Sequence, residues 1–321
     1  MEINTIHNSD WMNNGLPDQS VDLIIADPPY FEILGDFDFI WDSFDEYLKD
    51  VEKWAIECKR VLKDNGTLFW YGDDKRIAYA QIIFDKYFNL VNHLIWHKGE
   101  NFMGLNKSDG LRSFAPCTER ILMYSNEVNQ TGLERIKLDV NNFQTLRNHF
   151  KEMHEWVDVS KRELIQKVGQ RVDHCFRYNS TQWDLPTLET FNELIQQFRI
   201  NEWDSFREYE DLRREYEDLR RPFDNFLNLN EVMRFNNESA MNTQYKHPTR
   251  KPTKLTRALM LTCSKPGALV LVPFAGSGTE CAMAQKENRD FIGFEIDEKY
   301  YNVAMNRLKD QQEKSKQQSL F

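Results

Sequence analysis

The chain of 321 residues has only five cysteines, at 58, 117, 175, 263 and 281, and none of them stand in C-x-x-C spacing. An odd, scattered set of this kind argues against a disulfide framework and against a zinc site. Long apolar runs are also missing: none approaches the roughly 20 residues of a membrane-spanning helix. The N-terminal MEINTIHNSDW has neither the basic nor the apolar part of a signal peptide, so a cytosolic (cytoplasmic) protein without membrane contact is expected. An excess of positive charge is absent too. Lys and Arg number 41 against 51 Asp and Glu, a net charge of -10, so the field of the whole molecule repels a polyanion. A nucleic-acid partner therefore requires a local basic surface. With 40% hydrophobic and 29% charged residues, the composition is that of a chain able to bury a core, not of a disordered one.

Both ends of the chain read as α/β. VDLIIAD (21–27) is a short apolar run stopped by Pro28-Pro29, the pattern of a buried parallel strand. FDEYLKDVEKWAIECKRVL (44–62) spaces its apolar residues by three and four, which predicts an amphipathic helix, and after the turn residues Asp64-Asn65-Gly66 comes strand-like TLFWY (67–71). NLVNHLIWH (89–97) and ERILMYS (119–125) are further strand candidates. His93 and His97 share i, i+4 spacing, but the segment lacks the glutamate of a metalloprotease motif and is strand-like, so no metal is expected. Beyond residue 246, ALVLVPF, a glycine turn, TECAMAQKEN, DFIGFEI and EKYYNVAMNRL form a β-turn-α-β-α series.

The middle, 129–245, has few strand-like runs and a helical charge pattern, and reads as a mainly helical insert. EYEDLRR at 208–214 repeats identically at 215–221, aligning Tyr209, Leu212, Tyr216, Leu219, Phe223 and Phe226 as a heptad seam. That seam fits a helix packed on its own body or a homodimer contact. Ser160-x-x-Glu163 is a capping box ahead of KRELIQKV, Gly169 stops that helix, and QRVDHCFRY follows as a second helical stretch. Two short helices about a glycine resemble a helix-turn-helix, in which Arg171, His174 and Arg177 at i, i+3 and i+6 present a polar face to a DNA groove.

Two constellations carry chemistry. Phe274-Ala275-Gly276-Ser277-Gly278-Thr279 lies between a predicted strand and helix, where a nucleoside ligand meets the carboxyl edge of a parallel sheet. Glu295 ends the next strand, a place from which a carboxylate accepts hydrogen bonds from ribose hydroxyls. Asp27-Pro28-Pro29-Tyr30 ends the buried strand with a carboxylate, two residues lacking N–H donors and an aromatic. An exocyclic amine on a heterocycle is a poor nucleophile because its lone pair is delocalised. The Asp27 carboxylate and the Pro28 carbonyl, as two acceptors, would orient its hydrogens and direct the lone pair at an electrophilic methyl group. Tyr30 could stack on a base flipped out of a duplex.

DPPY followed by an insert and then by FAGSGT resembles the β group of S-adenosylmethionine-dependent DNA adenine N6-methyltransferases, within the N4/N6 amino-methyltransferase family. The resemblance covers 1–128 and 246 to about 310. It implies a Rossmann-like, mostly parallel methyltransferase sheet with one antiparallel strand, in circularly permuted motif order. The expected division is a catalytic half (1–128), a helical target-recognition region (129–245) and an S-adenosylmethionine-binding half (246–321). HPTRKP (247–252) is similar to a family element whose His and Lys positions, here His247 and Lys251, lie near the methionine part of the cofactor. Asp10 matches the acidic position near the cofactor adenine. Phe274, Gly276, Ser277, Gly278, Thr279 and Glu295 complete the implied cofactor set, and Asp27, Pro28, Pro29 and Tyr30 the catalytic one.

Lys246, Arg250, Lys251, Lys254 and Arg257, with no acid among 246–257, read as the local basic surface, and Arg250 as a DNA contact. Where the family has Asp-Pro-Phe, this chain has Val272-Pro273-Phe274, a departure that removes a cofactor contact. The implied partners are double-stranded DNA, a second copy of the chain and a cognate restriction endonuclease. The alternatives are methylation of cytosine N4, whose enzymes more often carry Ser before Pro-Pro, methylation of RNA, and a DNA-binding module with a degenerate pocket.

Overall fold

The computed structural model describes residues 1–33, 36–99, 112, 114, 116–126, 143–180, 182–238 and 244–318. The chain forms two compact units, one from Met1–Val128 with Pro222–Phe321 and one from Asn129–Arg221.

The first unit is built on an eight-stranded sheet in the order β1-β8-β7-β2-β3-β5-β4-β6. Its strands are β1 (Thr5–His7), β2 (Val21–Ala26), β3 (Leu62–Gly72), β4 (Asn89–His97), β5 (Thr118–Ser125), β6 (Val232–Arg234), β7 (Leu269–Val272) and β8 (Asp290–Phe294). Only β5 runs antiparallel to its neighbours, and the remaining pairings are parallel. This is the α/β architecture that the motif order implies, with the chain's last strands β7 and β8 lying beside its first, β1 and β2.

Both faces of the sheet are covered, which is why its central strands are apolar without alternation. Leu23, Ile25, Phe69, Tyr71, Ile121 and Met123 join one core cluster. Ile24, Ala26, Leu68, Trp70, Leu122 and Tyr124 join the other. Val21 breaks this odd–even rule by packing in the second cluster. The cause is a register shift: Val21 pairs with Leu62, but Leu23 already pairs with Thr67. The extra residues of β3 hold Asp64-Asn65-Gly66, so the expected turn becomes a bulge inside a continuous strand.

Helices α1 (Phe44–Val61) and α2 (Ile77–Phe84) pack against the second cluster, and α7 (Thr253–Cys263), α8 (Thr279–Lys286) and α9 (Glu298–Gln318) belong to the first unit as well. The Ser43 hydroxyl caps α1 by accepting the Glu46 N–H, and Tyr47, Val51, Trp54, Ala55 and Cys58 form its buried stripe. Among the described residues, no helix is long and apolar enough to cross a membrane.

The second unit has its own core. Helices α3 (Gln144–Val157), α4 (Lys161–Val168), α5 (Leu188–Phe198) and α6 (Tyr209–Leu219) surround Phe150, Val172, Trp183, Phe191, Leu212 and Tyr216. Ser160 caps α4 as the capping box predicts. The stretch after Gly169 is a 3-10 helix over Gln170–Phe176 in place of the second α-helix of a helix-turn-helix.

The heptad seam does not continue either. Arg220 is already extended (φ -74°, ψ 133°) and Pro222 follows, and a residue before proline avoids the helical region. Leu212 and Tyr216 are spent on the unit's own core, while Phe223 and Phe226 lie past the helix end, at 50% and 42% exposure. The insert is shorter than 129–245. Residues from Pro222 return to the first unit, where β6 pairs with β4.

Candidate active site

The sheet's topology brings the two motifs side by side. β7 pairs with β2, so Asp27 after β2 and the glycine loop after β7 leave neighbouring strands at the same carboxyl edge. β1 and β8, which are paired, end at that edge as well, with Asp10 following one and Glu295 the other.

The loop is shaped for close approach. Gly276 (φ +50°) and Gly278 (φ +70°) both have left-handed backbones. A Cβ on Gly278 would come within 2.9 Å of Ala304 Cβ on α9, and one on Gly276 within 3.2 Å of His247 Nε2. Glu295 Oε2 accepts the Gly276 N–H at 2.8 Å and Oε1 the Asp297 N–H at 2.9 Å, which fixes the carboxylate in place. Burial raises its pKa. Asp10 accepts the Met12 N–H at 2.9 Å and caps a short 3-10 helix.

Ser277 and Thr279 are buried beneath the loop. Their hydroxyls are 3.2 Å apart, and Arg307 of α9 donates to Thr279 Oγ1 at 2.5 Å. Phe274 turns into a cluster with Trp54 (5.0 Å), Trp11 (6.1 Å) and Trp70 (6.3 Å). Val272, where the family has aspartate, is 1% exposed and packed in the core.

His247 lies between Phe37, stacked at 5.7 Å, and Tyr300, edge-on at 4.4 Å. Burial and the charge of Lys251 lower its pKa to about 4, so the imidazole is neutral at pH 7.

Asp27 is the centre of the polar side of the site. Its Oδ1 accepts the Tyr30 hydroxyl at 2.6 Å and is 2.7 Å from Lys251 Nζ. The Tyr30 N–H donates to the buried carboxylate of Asp38 at 2.7 Å. It therefore does not compete for the Pro28 carbonyl. Tyr30 is 7% exposed, with the Lys251 ammonium 5.2 Å from its ring centroid. In this state the ring is a packed partner of Asp27 and Lys251. Burial raises the Asp27 pKa, Lys251 opposes the rise and Glu119 adds to it.

The basic surface expected at 246–257 is smaller than its sequence. Lys251 is buried at Asp27, Arg250 is largely buried with its guanidinium on Glu238, and Arg257 is paired with Glu287 at 2.6 Å. Arg250 is thus not an exposed DNA contact. Its charge was visible in the sequence, but the distant acid that takes it was not. In the second unit, Arg171 is exposed beside Glu189 at 3.3 Å, His174 is bonded to the Gln182 carbonyl at 3.2 Å, and Arg177 is folded back on Asp173. Of the three, Arg177 is the least available to a groove.

Four charged residues that contact the predicted positions or their neighbours were missed by sequence reasoning: Asp38, which accepts the Tyr30 N–H, Glu119 and its partner Lys98, and Arg307. Only Arg307 left a signal, as a lone arginine between Ala304 and Leu308 in the apolar stripe of α9.

A glycine loop and an acid on adjacent parallel strands, with a carboxylate-Pro-Pro-Tyr beside them, define an α/β methyltransferase. The chain matches the DNA methylase family of N6 and N4 methyltransferases over residues 21–306, and it belongs to that family. It is 28% identical over 312 residues to the DNA adenine methyltransferase YhdJ of Escherichia coli K12, covering 91% of this chain and 78% of that protein. It is 25% identical over 331 residues to the Type II methyltransferase M.HinfI of Haemophilus influenzae, covering 96% of this chain and 69% of that one.

Among solved structures, PvuII DNA methyltransferase (cytosine-N4-specific) shares the fold with a TM-score of 0.53 and 14% identity, covering 94% of this chain and 87% of that one. TTHA0409 of Thermus thermophilus, complexed with S-adenosyl-L-methionine, does so with a TM-score of 0.51 and 17% identity, covering 96% and 94%. The protein is a DNA methyltransferase that uses S-adenosyl-L-methionine. The site fits that cofactor: the loop approaches without side chains at Gly276 and Gly278, and a carboxylate is anchored on the next strand.

Proposed function

We propose that the chain methylates N6 of an adenine flipped out of a short duplex DNA sequence. The observation that carries this reading is the state of Asp27. Tyr30 and Lys251 both engage Oδ1, and among the described residues no hydrogen bond reaches Oδ2. Oδ2 is the acceptor for one amine hydrogen and the Pro28 carbonyl for the other. Held this way, the nitrogen is drawn out of conjugation and its lone pair is aimed along the line of transfer.

S-adenosyl-L-methionine, when bound, would supply a sulfonium methyl group: the N–C bond would form as the S–C bond breaks, the neutral thioether would leave, and the methylated amine would give up one hydrogen as a proton. Gly276 and Gly278 would let backbone N–H groups approach it, and Glu295 and Asp10, following β8 and β1, would hold its ribose and adenine side. His247, neutral and stacked, packs on the loop. No residue forms a covalent bond to the base.

The carboxylate before Pro-Pro and the similarity to a DNA adenine methyltransferase support adenine over cytosine. The helical unit at 129–221 is the candidate for target recognition, with Arg171 and His174 as base or phosphate readers. Similarity to a Type II methyltransferase supports a role as the modifying half of a restriction–modification pair. The test is methylome sequencing of a methylation-free bacterial host expressing the chain, with nucleoside analysis of the product. N6-methyladenine at one recurring motif is expected; N4-methylcytosine would transfer the reading to the other amine, and a blank methylome with well-folded protein would reject both.

A further inference from the structure

Lys251, which the family resemblance puts near the methionine part of the cofactor, holds its ammonium between two carboxylates. It is 2.7 Å from Asp27 Oδ1 and 3.3 Å from Glu119 Oε2, and its side chain is 2% exposed. Glu119 is held in turn by Lys98 at 2.5 Å. Topology makes this meeting possible. β5 is antiparallel, so its first residues lie at the edge where the parallel strands end, and Glu119 starts where Asp27 leaves. Tyr71, from the end of β3 between them, lies with its ring centroid 5.2 Å from Lys251 Nζ.

The charges act on Asp27 in opposite senses. An ammonium beside a carboxylate lowers its pKa and draws density from its oxygens. A carboxylate wholly neutralised in this way is a weak acceptor for an amine hydrogen. Glu119 shares the ammonium and leaves Asp27 more basic. The other ionisable groups facing Asp27 are Tyr30, Tyr71 and the buried Glu280 of α8.

We propose that Lys251 is a positioning residue for methyl transfer, which with Tyr30 clamps Oδ1 of Asp27 so that Oδ2 meets the amine, and that Glu119 is the counter-charge that keeps this carboxylate a strong acceptor. The proposal rests on the reading of Asp27 as the amine acceptor.

Two substitutions of opposite sign test it in the full chain. Carbon-13 NMR of protein labelled at the aspartate side-chain carboxyls follows the Asp27 titration, with Asp27→Asn to assign the signal. Lys251→Met should move the midpoint up by about one pH unit or more, and Glu119→Gln should move it down. A Lys251 that merely fills space gives no movement, or movement in the same direction for both, and either result overturns the proposal.

In turnover on duplex DNA at saturating cofactor, Lys251→Met should lower kcat by about 100-fold. Calorimetry should find its affinity for S-adenosyl-L-methionine unchanged. Lost cofactor affinity with kcat retained would assign Lys251 to the cofactor and sink the idea. If Lys251→Met does not fold, Glu119→Gln alone decides by the direction of its shift. A wild-type chain inactive on every duplex would refute the amine-acceptor reading, whereas the titration needs no turnover and separates that failure from this one.

Discussion

The guanidinium of Arg307 donates to the hydroxyl of Thr279 at 2.5 Å from beneath the glycine loop. Arg307 is 7% exposed, and burial lowers its pKa to about 10. The loop therefore rests on a buried cation. Arg307→Leu should cost about 2 kcal/mol of stability, because hydrogen bonds to a charged group are lost. It should also weaken S-adenosyl-L-methionine binding. Urea unfolding and calorimetry check the two effects, and unchanged cofactor affinity would show that the loop holds its shape without Arg307.

Gly278 combines a left-handed backbone with close approach to α9. Gly278→Ala should cost about 1–2 kcal/mol for the backbone alone, with the clash against Ala304 in addition. Cofactor affinity should fall with it, because the loop must move to admit the methyl group. A thermal-shift titration with S-adenosyl-L-methionine reads both.

Asp27→Ala should abolish transfer and spare cofactor binding, since in the proposed reading the carboxylate serves the amine while residues after β1, β7 and β8 serve the donor. The loss in kcat should be about 1000-fold or more, in the range of a removed electrostatic partner of the transition state. Equal collapse of cofactor affinity in calorimetry would show the role to be misassigned.

His247 should titrate near pH 4 in proton NMR, against 6.5 for an ordinary imidazole. Between these values the unfolded chain binds a proton that the folded one does not. The stability contributed by neutral His247 is thus present above about pH 6.5 and is lost as pH falls toward about 4. His247→Gln should flatten that part of the stability profile, and a profile unchanged by the substitution would contradict the burial argument.

Leu212, with no exposure, sits in the core of the helical unit. Leu212→Ala should destabilise that unit by about 2–5 kcal/mol, the cost of a large-to-small change in a packed core. The oligomeric state should not respond. Size-exclusion chromatography with light scattering beside chemical denaturation tells the two apart, and a change of assembly without loss of stability would restore the heptad seam as a surface.

The strands, the α1 stripe and the order of the two motifs were legible in the sequence because each is written in neighbouring residues. A strand buried on both faces reads as an unbroken apolar run, and proline and glycine mark where it must end. Asp27, Gly276, Gly278 and Glu295 could be named for the same reason, since each stands at a strand end that the local pattern predicts.

Charge partners were not legible. Lys246, Arg250, Lys251, Lys254 and Arg257 look alike as a basic run, yet Arg250 is committed to Glu238 and Lys251 to Asp27 and Glu119. The heptad pattern also runs past the end of α6, because it repeats in sequence while Pro222 and the unit's own core decide where the helix stops. Local order, set by sterics and by the period of burial, was determined by the sequence alone. Which ammonium meets which carboxylate was decided only by the tertiary structure. An antiparallel β5 brings Glu119 to the edge where Asp27 ends, and a buried charge must take whichever opposite charge the fold places beside it.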